Sequence, residues 1–396
     1  MRRWLCLVLA LFLTASSACA GSPVVLQLWD LTPPASLKRA HPEIRCKALW
    51  HDPFRETLAE MQRLQPDVAF LSLYNDDWQL FLDAEFTADL SSSAVIKEAV
   101  SRMPEWIQQL VTTADGRIWA LPITALVRPV YWYQDAWDAA GLTKEDVPQS
   151  YTELLDFLDR WVDRIKAAPE KNICASRLVR WNTGQEKYNY CWCLMDMLLS
   201  SHEIQQRHAG QGITFHTPEF IALAERTRQI GLALYEAEPP QGKRQGMLQL
   251  FQNDLHGGEH ANGGRAYGLS HSIPLRLTSN QPALTSVNLE FAFVRRGSAH
   301  PEESLLVLEH LIASRPWFFQ YALYKDFAAG DYPFDSRKTG HVDEGWLADY
   351  HSFEGDFIAQ PTLFHQSLEL LNAKETSMLQ FFQGSITAEK FAYRLP

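Results

Sequence analysis

The chain has 396 residues, 46% hydrophobic and 21% charged, which is enough to bury a sizeable core and suggests about two domains or lobes. Its formal charge is -11, and about -13 if Arg2 and Arg3 leave with a leader. That balance argues against nucleic acid or an anionic membrane surface as the main partner.

The first twenty residues read as an export signal: Arg2 and Arg3, an apolar run from Trp4 to Leu13, then small and polar residues from Thr14 to Ala20. The apolar run is too short to span a bilayer. Ala18-Cys19-Ala20 fits cleavage before Gly21, whereas Ser17-Ala18-Cys19 loosely resembles a lipobox that would place a lipid on Cys19. Both routes stay open, and the expected location is periplasmic or cell-surface.

Strand and helix signals then alternate, the pattern of an α/β architecture. "PVVLQLW", Pro23 to Trp29, is a compact strand. "FRETLAEMQRL" places Phe54, Leu58, Met61 and Leu64 on one helical face until Pro66 stops it, and "DVAFLSLY", Asp67 to Tyr74, is the next strand. "DGRIWALPITALVRPVYWYQDAW" carries Trp119, Trp132 and Trp137, with Pro122 and Pro129 too close together for one continuous helix. In "PQSYTELLDFLDRWVDRIKAA", Ser150 and Glu153 read as a capping box, ahead of a stripe of Leu154, Leu155, Leu158, Trp161, Val162 and Ile165. Helices with proline in the first turn are expected from Pro218 and from Pro301. Between Pro239 and Gln281 the glycines Gly257, Gly258, Gly263 and Gly264 break every periodic pattern.

Two clusters suggest chemistry. His256-Gly257-Gly258-Glu259-His260 matches the H-x-x-E-H pattern of zinc peptidases, which needs a helix to bring both histidines beside the glutamate. Its glycines argue against that helix, and a solvated loop is the favoured reading. Cys46, Cys174, Cys191 and Cys193 follow the leader, and Cys191 and Cys193 have neither CxxC nor zinc-finger spacing. Packed thiols or one bridge, with Cys174 as its partner, are the readings left open. No cofactor or metal is expected.

Five stretches, taken in order, resemble the extracellular solute-binding proteins of the maltose-binding type, the receptor components of bacterial ABC importers. They are "VVLQLW"; "LKRAHPEIRCKALW"; "RLQPDVAFLSLYNDDWQLFLDAEFTADL"; "DGRIWALPITALVRPVYWYQDAWDAAGL"; and the tail "MLQFFQGSITAEKFAYRL". Residues from about Ile173 to Leu284 carry no such match. The resemblance implies a two-lobed periplasmic-binding-protein-like α/β fold of type II, with a ligand cleft between lobes joined by hinge crossovers. Lobe 1 is expected over residues 21–126 and 286–330, and lobe 2 over 127–285 and 331–396, with Pro122 to Val130 as the first crossover.

The same resemblance, with the rule that ligands sit beyond the carboxyl ends of strands, names a binding set. Trp29 and Asp30 follow the first strand, and Ser72, Tyr74, Asn75 and Asp76 the next, although Trp29 could pack under a loop and Asn75 or Asp76 cap a helix. The family often has a carboxylate after its "L-P" step; here Thr124 or Arg128 stands as the substitute. In the second lobe Trp181 is the stacking candidate, or else a core residue, with Arg180, Tyr188 and Tyr190 near it. Trp346 and Tyr350 complete the set. Aromatic rings pack on the C–H faces of sugars while carboxylates and amides fix the hydroxyls; aromatic boxes also hold cations. The expected function is capture of a small solute, a carbohydrate by family frequency, by a monomer that hands it to an ABC permease without catalysis. The alternative is an exported hydrolase, zinc-dependent through residues 256–260 or acting on glycans.

Overall fold

A computed structural model describes residues 23–50, 57–72, 78–127, 130–168, 172–176, 186–240, 243, 247–253, 269–273, 276–314, 356–359 and 368–396. These residues divide into two compact units. The first lies within Met1–Leu71, Trp78–Ile123 and Phe291–Arg315, and the second within Ser72–Asp77, Thr124–Glu290 and Pro316–Pro396.

The first unit is built on β1 (Val24–Trp29), α1 (Ala35–Ala40), β2 (Ile44–Leu49), α2 (Thr57–Leu64) and β3 (Val68–Ser72). Strand β1 pairs in parallel with β2 on one side and β3 on the other. Leu26, Leu28, Val68 and Ala69 are sealed in the core, whereas the outermost strand of this edge, β2, exposes Arg45 and Lys47, charges that discourage further strand pairing. Helix α2 ends where Gln65 turns to φ 53 and its N–H bonds the Met61 carbonyl, and Pro66 then bars continuation. The buried Asp67 that follows is a structural clamp. Its carboxylate accepts from the Gln27 N–H at 2.8 Å and from the Ser298 hydroxyl at 2.7 Å.

Downstream come α3 (Trp78–Asp83), α4 (Ala94–Ser101), α5 (Glu105–Val111), β4 (Leu121–Val127) and the long β9 (Leu284–Val294). The six-stranded sheet runs β10-β9-β3-β1-β2, with β4 paired to β9 and β10 spanning Asp356–Ala359. The divide between the units falls inside two of these strands, after Ile123 in β4 and after Glu290 in β9. The segment around Pro122 is thus strand, with its proline at the second position. Helix α10 (Pro301–Ser314) begins on proline and returns to the first unit, where the Ser93 hydroxyl donates to Glu309 at 2.7 Å.

The second unit has a four-stranded sheet, β6-β7-β5-β8, from β5 (Val130–Tyr133), β6 (Ile173–Ser176), β7 (Leu248–Asn253) and β8 (Leu269–Ile273). Strands β7 and β8 lie in the stretch expected to be irregular, and both pair antiparallel with β5. Long-range pairing, which local periodicity does not record, decides them. The helices α6 (Gln134–Ala139), α7 (Tyr151–Ala167), α8 (Asn189–His208), α9 (Pro218–Ala237), α11 (Leu368–Phe382) and α12 (Ala388–Ala392) complete the unit.

The α7 stripe is buried throughout. Its cap differs in one detail: Ser150 accepts from the Glu153 N–H, but the Glu153 carboxylate takes the Gln149 N–H rather than that of Ser150. Helices α8 and α9 touch so closely at Gly231 that a Cβ there would lie 2.7 Å from the Cys191 sulfur. Gly384, at φ 73, reverses the chain between α11 and α12.

Candidate functional site

In the order β2-β1-β3, the chain leaves β1 for β2 on one side and returns to β3 on the other. Right-handed crossovers made in both directions send the connecting helices to opposite faces of the sheet. In open α/β sheets such a reversal is where ligands are bound, beyond the carboxyl ends of the strands, here those of β1 and β3.

Asp30 is the first residue beyond β1. It holds φ 49, a left-handed conformation that aspartate tolerates better than most residues, and its N–H donates to the Leu49 carbonyl at 2.8 Å. Ser72 is the last residue of β3. Trp29 pairs with Leu49 on one side and Ala69 on the other, and its side chain is buried in the core. Trp50, which immediately follows β2 and so flanks Asp30 from that side, is 66% exposed. The sequence alone does not single out Trp50; the register of β2 against β1 is the signal that marks the tryptophan following β2.

Trp78 opens α3, and its ring stacks on Trp119 at 5.5 Å and 12°. Trp119 is buried, donates through its indole N–H to the Leu110 carbonyl at 2.9 Å, and leans on Phe291 at 5.3 Å. Two aromatic side chains of "DGRIWALPITALVRPVYWYQDAW", Trp132 and Trp137, belong to the other core: Trp137 stacks on Phe157 at 5.1 Å and meets Trp132 and Phe251 at 5.2 Å each.

Thr124 is fully buried in β4, and its hydroxyl has no hydrogen-bond partner among the described residues. Tyr188 closes a short 3-10 turn before α8 and stacks on Phe382 at 6.3 Å. Tyr190 is buried, and its hydroxyl donates to Glu238. Glu238 also accepts the Trp161 indole N–H at 3.2 Å and the Ala175 N–H at 2.7 Å, binding α7, α8 and β6 into one node. Cys46, Cys174, Cys191 and Cys193 hold their sulfurs as thiols; burial pushes the Cys191 thiol up to about 12, which keeps it protonated and unreactive.

Asp30 is thus the first residue beyond β1 and Ser72 the last of β3, whereas Trp29, Thr124 and Tyr190 are buried. Tyr74, Asn75, Asp76, Arg128, Arg180, Trp181, Trp346, Tyr350, the leader with Cys19, and the H-x-x-E-H residues 256–260 lie outside the described residues. Among the described residues no group of three or more His, Cys, Asp or Glu could hold a metal ion, and no helix is long and apolar enough to cross a membrane. The strand ends carry a carboxylate, a hydroxyl and an exposed indole.

No family model matches the sequence, and no curated protein matches it. Solved structures do. A chitin oligosaccharide binding protein is 14% identical with a TM-score of 0.59, covering 94% of this chain and 97% of its own. A sugar transporter from Bacillus licheniformis in complex with stachyose is 14% identical with a TM-score of 0.57, covering 94% and 98%. A cyclic alpha-maltosyl-1,6-maltose binding protein from Arthrobacter globiformis is 13% identical with a TM-score of 0.55, covering 94% and 97%. At these identities the likeness is one of fold: the chain has the two-lobed, periplasmic-binding-protein-like α/β fold expected from its sequence.

Proposed function

We propose that this chain is the exported substrate-binding protein of an ABC importer and that it captures a carbohydrate by hinge closure of two lobes. The observation that carries the reading is the placement of Asp30 and Ser72 at the strand ends where the sheet order reverses, in a fold whose solved neighbours bind stachyose, chitin oligosaccharides and a cyclic maltosyl-maltose. Asp30 and Ser72 supply acceptors and a donor for sugar hydroxyls. Tyr74, Asn75, Asp76, Thr124 and Arg128 extend that set, and Arg180, Trp181, Tyr188 and Trp346 serve the second lobe. Trp29 acts from beneath, as packing that holds Asp30 in place.

Contacts on both lobes are complete only when the lobes close, so ligand shifts the population toward the closed form. A shift from about 1% to about 99% closed requires a differential affinity of roughly 5.5 kcal/mol. Stacked rings and charge-assisted hydrogen bonds supply that order. A permease then receives the closed, monomeric receptor, which the leader has delivered to the periplasm or cell surface, with or without a lipid on Cys19. A thermal-shift screen against oligosaccharides, polyamines and anions tests the reading. A saccharide at about 100 times its Kd stabilises the folded state by about 2.7 kcal/mol and raises the melting temperature; a rise with polyamines or anions alone contradicts it.

A further inference from the structure

Among the described residues no contact accounts for the position of Trp50. Its indole is largely exposed, and no hydrogen bond or ring contact to it is found among the described residues. It is not a scattered surface residue, because it stands at the carboxyl end of β2, where Leu49 pairs with Trp29 and its carbonyl receives the Asp30 N–H. Neighbouring strands lie about 4.8 Å apart, so the backbones of Asp30 and Trp50 are lateral neighbours. Asp30 is also one of three non-glycine residues at positive φ among the described residues, and such backbone shapes gather at binding sites, where the surroundings fix them.

We propose that Trp50 is a further ligand-binding residue: a stacking platform for one pyranose ring, whose hydroxyls reach the Asp30 carboxylate. The inference rests on the carbohydrate reading above and deepens it. An indole face attracts the C–H face of a sugar ring, while a carboxylate beside it accepts from the hydroxyls on the ring edge. An ammonium ligand also fits one indole and one carboxylate, but sites built for such cations enclose them with several rings, and Trp50 has no aromatic neighbour among the described residues.

The test is calorimetric titration of the full mature chain with xylotriose, mannotriose, maltotriose, N,N′-diacetylchitobiose, spermidine and choline. It is repeated on Trp50→Ala, Trp50→Phe and Asp30→Asn. For the saccharide that binds the wild type, Trp50→Ala is expected to weaken binding about tenfold, Trp50→Phe to recover part of that loss, and the melting temperature without ligand to stay unchanged. If Trp50→Ala binds as the wild type does while Asp30→Asn is weakened, the stacking role is overturned and the receptor reading stands. If no saccharide binds the wild type, both fall. Binding of spermidine or choline that Trp50→Ala abolishes keeps the platform but overturns the pyranose ring as its occupant, and with it the proposal.

Discussion

In the first unit Trp50 is held at a strand end with its indole in solvent beside Asp30. In the second, Trp132, Trp137 and Trp161 are sealed with Phe157 and Phe251 into one stacked cluster. Residue type is shared and the consequence is opposite. The abundance of tryptophan therefore does not by itself point to a site in this chain; position relative to the carboxyl ends of parallel strands separates these residues. Trp119 and Trp137, the outer tryptophans of the most aromatic motif in the sequence, each anchor a core, one per unit.

That contrast can be broken by mutation. The largest effect is expected from Trp137→Ala, which empties a fully buried site and removes the donor to the Thr143 carbonyl. It should cost about 3–5 kcal/mol in chemical denaturation. Gly231→Ala follows, at about 1–3 kcal/mol. Adding Cys191→Ala to it should not restore stability, since the Cys191 backbone N and Cα also lie 2.8 and 2.9 Å from the new Cβ.

His202 sharpens the comparison through pH. It is packed against Phe215 and Phe220, its Nε2 donates to the Thr214 carbonyl at 2.7 Å, and its Nδ1 is buried with no partner among the described residues. Burial lowers its pKa from the usual 6.5, and the Thr214 bond only partly opposes this. The unfolded chain therefore takes up the proton first on acidification. The stabilising share is complete above about pH 6.5 and is lost as pH falls through the depressed folded value. The melting temperature should drop between neutral and mildly acidic pH, and His202→Gln should flatten that part of the profile. The smallest effect is that of Trp50→Ala, expected within about 0.5 kcal/mol of the wild type; a larger loss would show Trp50 to be a packing residue.

How much of this was legible in the sequence follows the range of the interactions involved. Strand β1, the buried stripe of α7, and the proline starts of α9 and α10 were readable because each is fixed by local chemistry: apolar periodicity, a cap, a restricted φ. Strands β7 and β8 were not. "LQLFQN" and "LSHSI" stand among glycines and become strands by pairing with β5, more than a hundred residues earlier in the chain. The rule of strand ends names Asp30 and Ser72 as candidates from sequence, whereas Trp50 becomes a candidate only when β2 is seen beside β1. The capping box at Ser150 was half right, because Glu153 found the Gln149 N–H and a distant hydroxyl, that of Ser279.

Calorimetric titration of the wild type and Asp30→Asn with the saccharide that most raises the melting temperature bears most directly on the site. Asparagine tolerates the left-handed backbone at this position, so the substitution removes the charge and leaves the turn. The account predicts a single site in the wild type and a loss of about tenfold or more in affinity for Asp30→Asn. Equal affinity in the two proteins would contradict it.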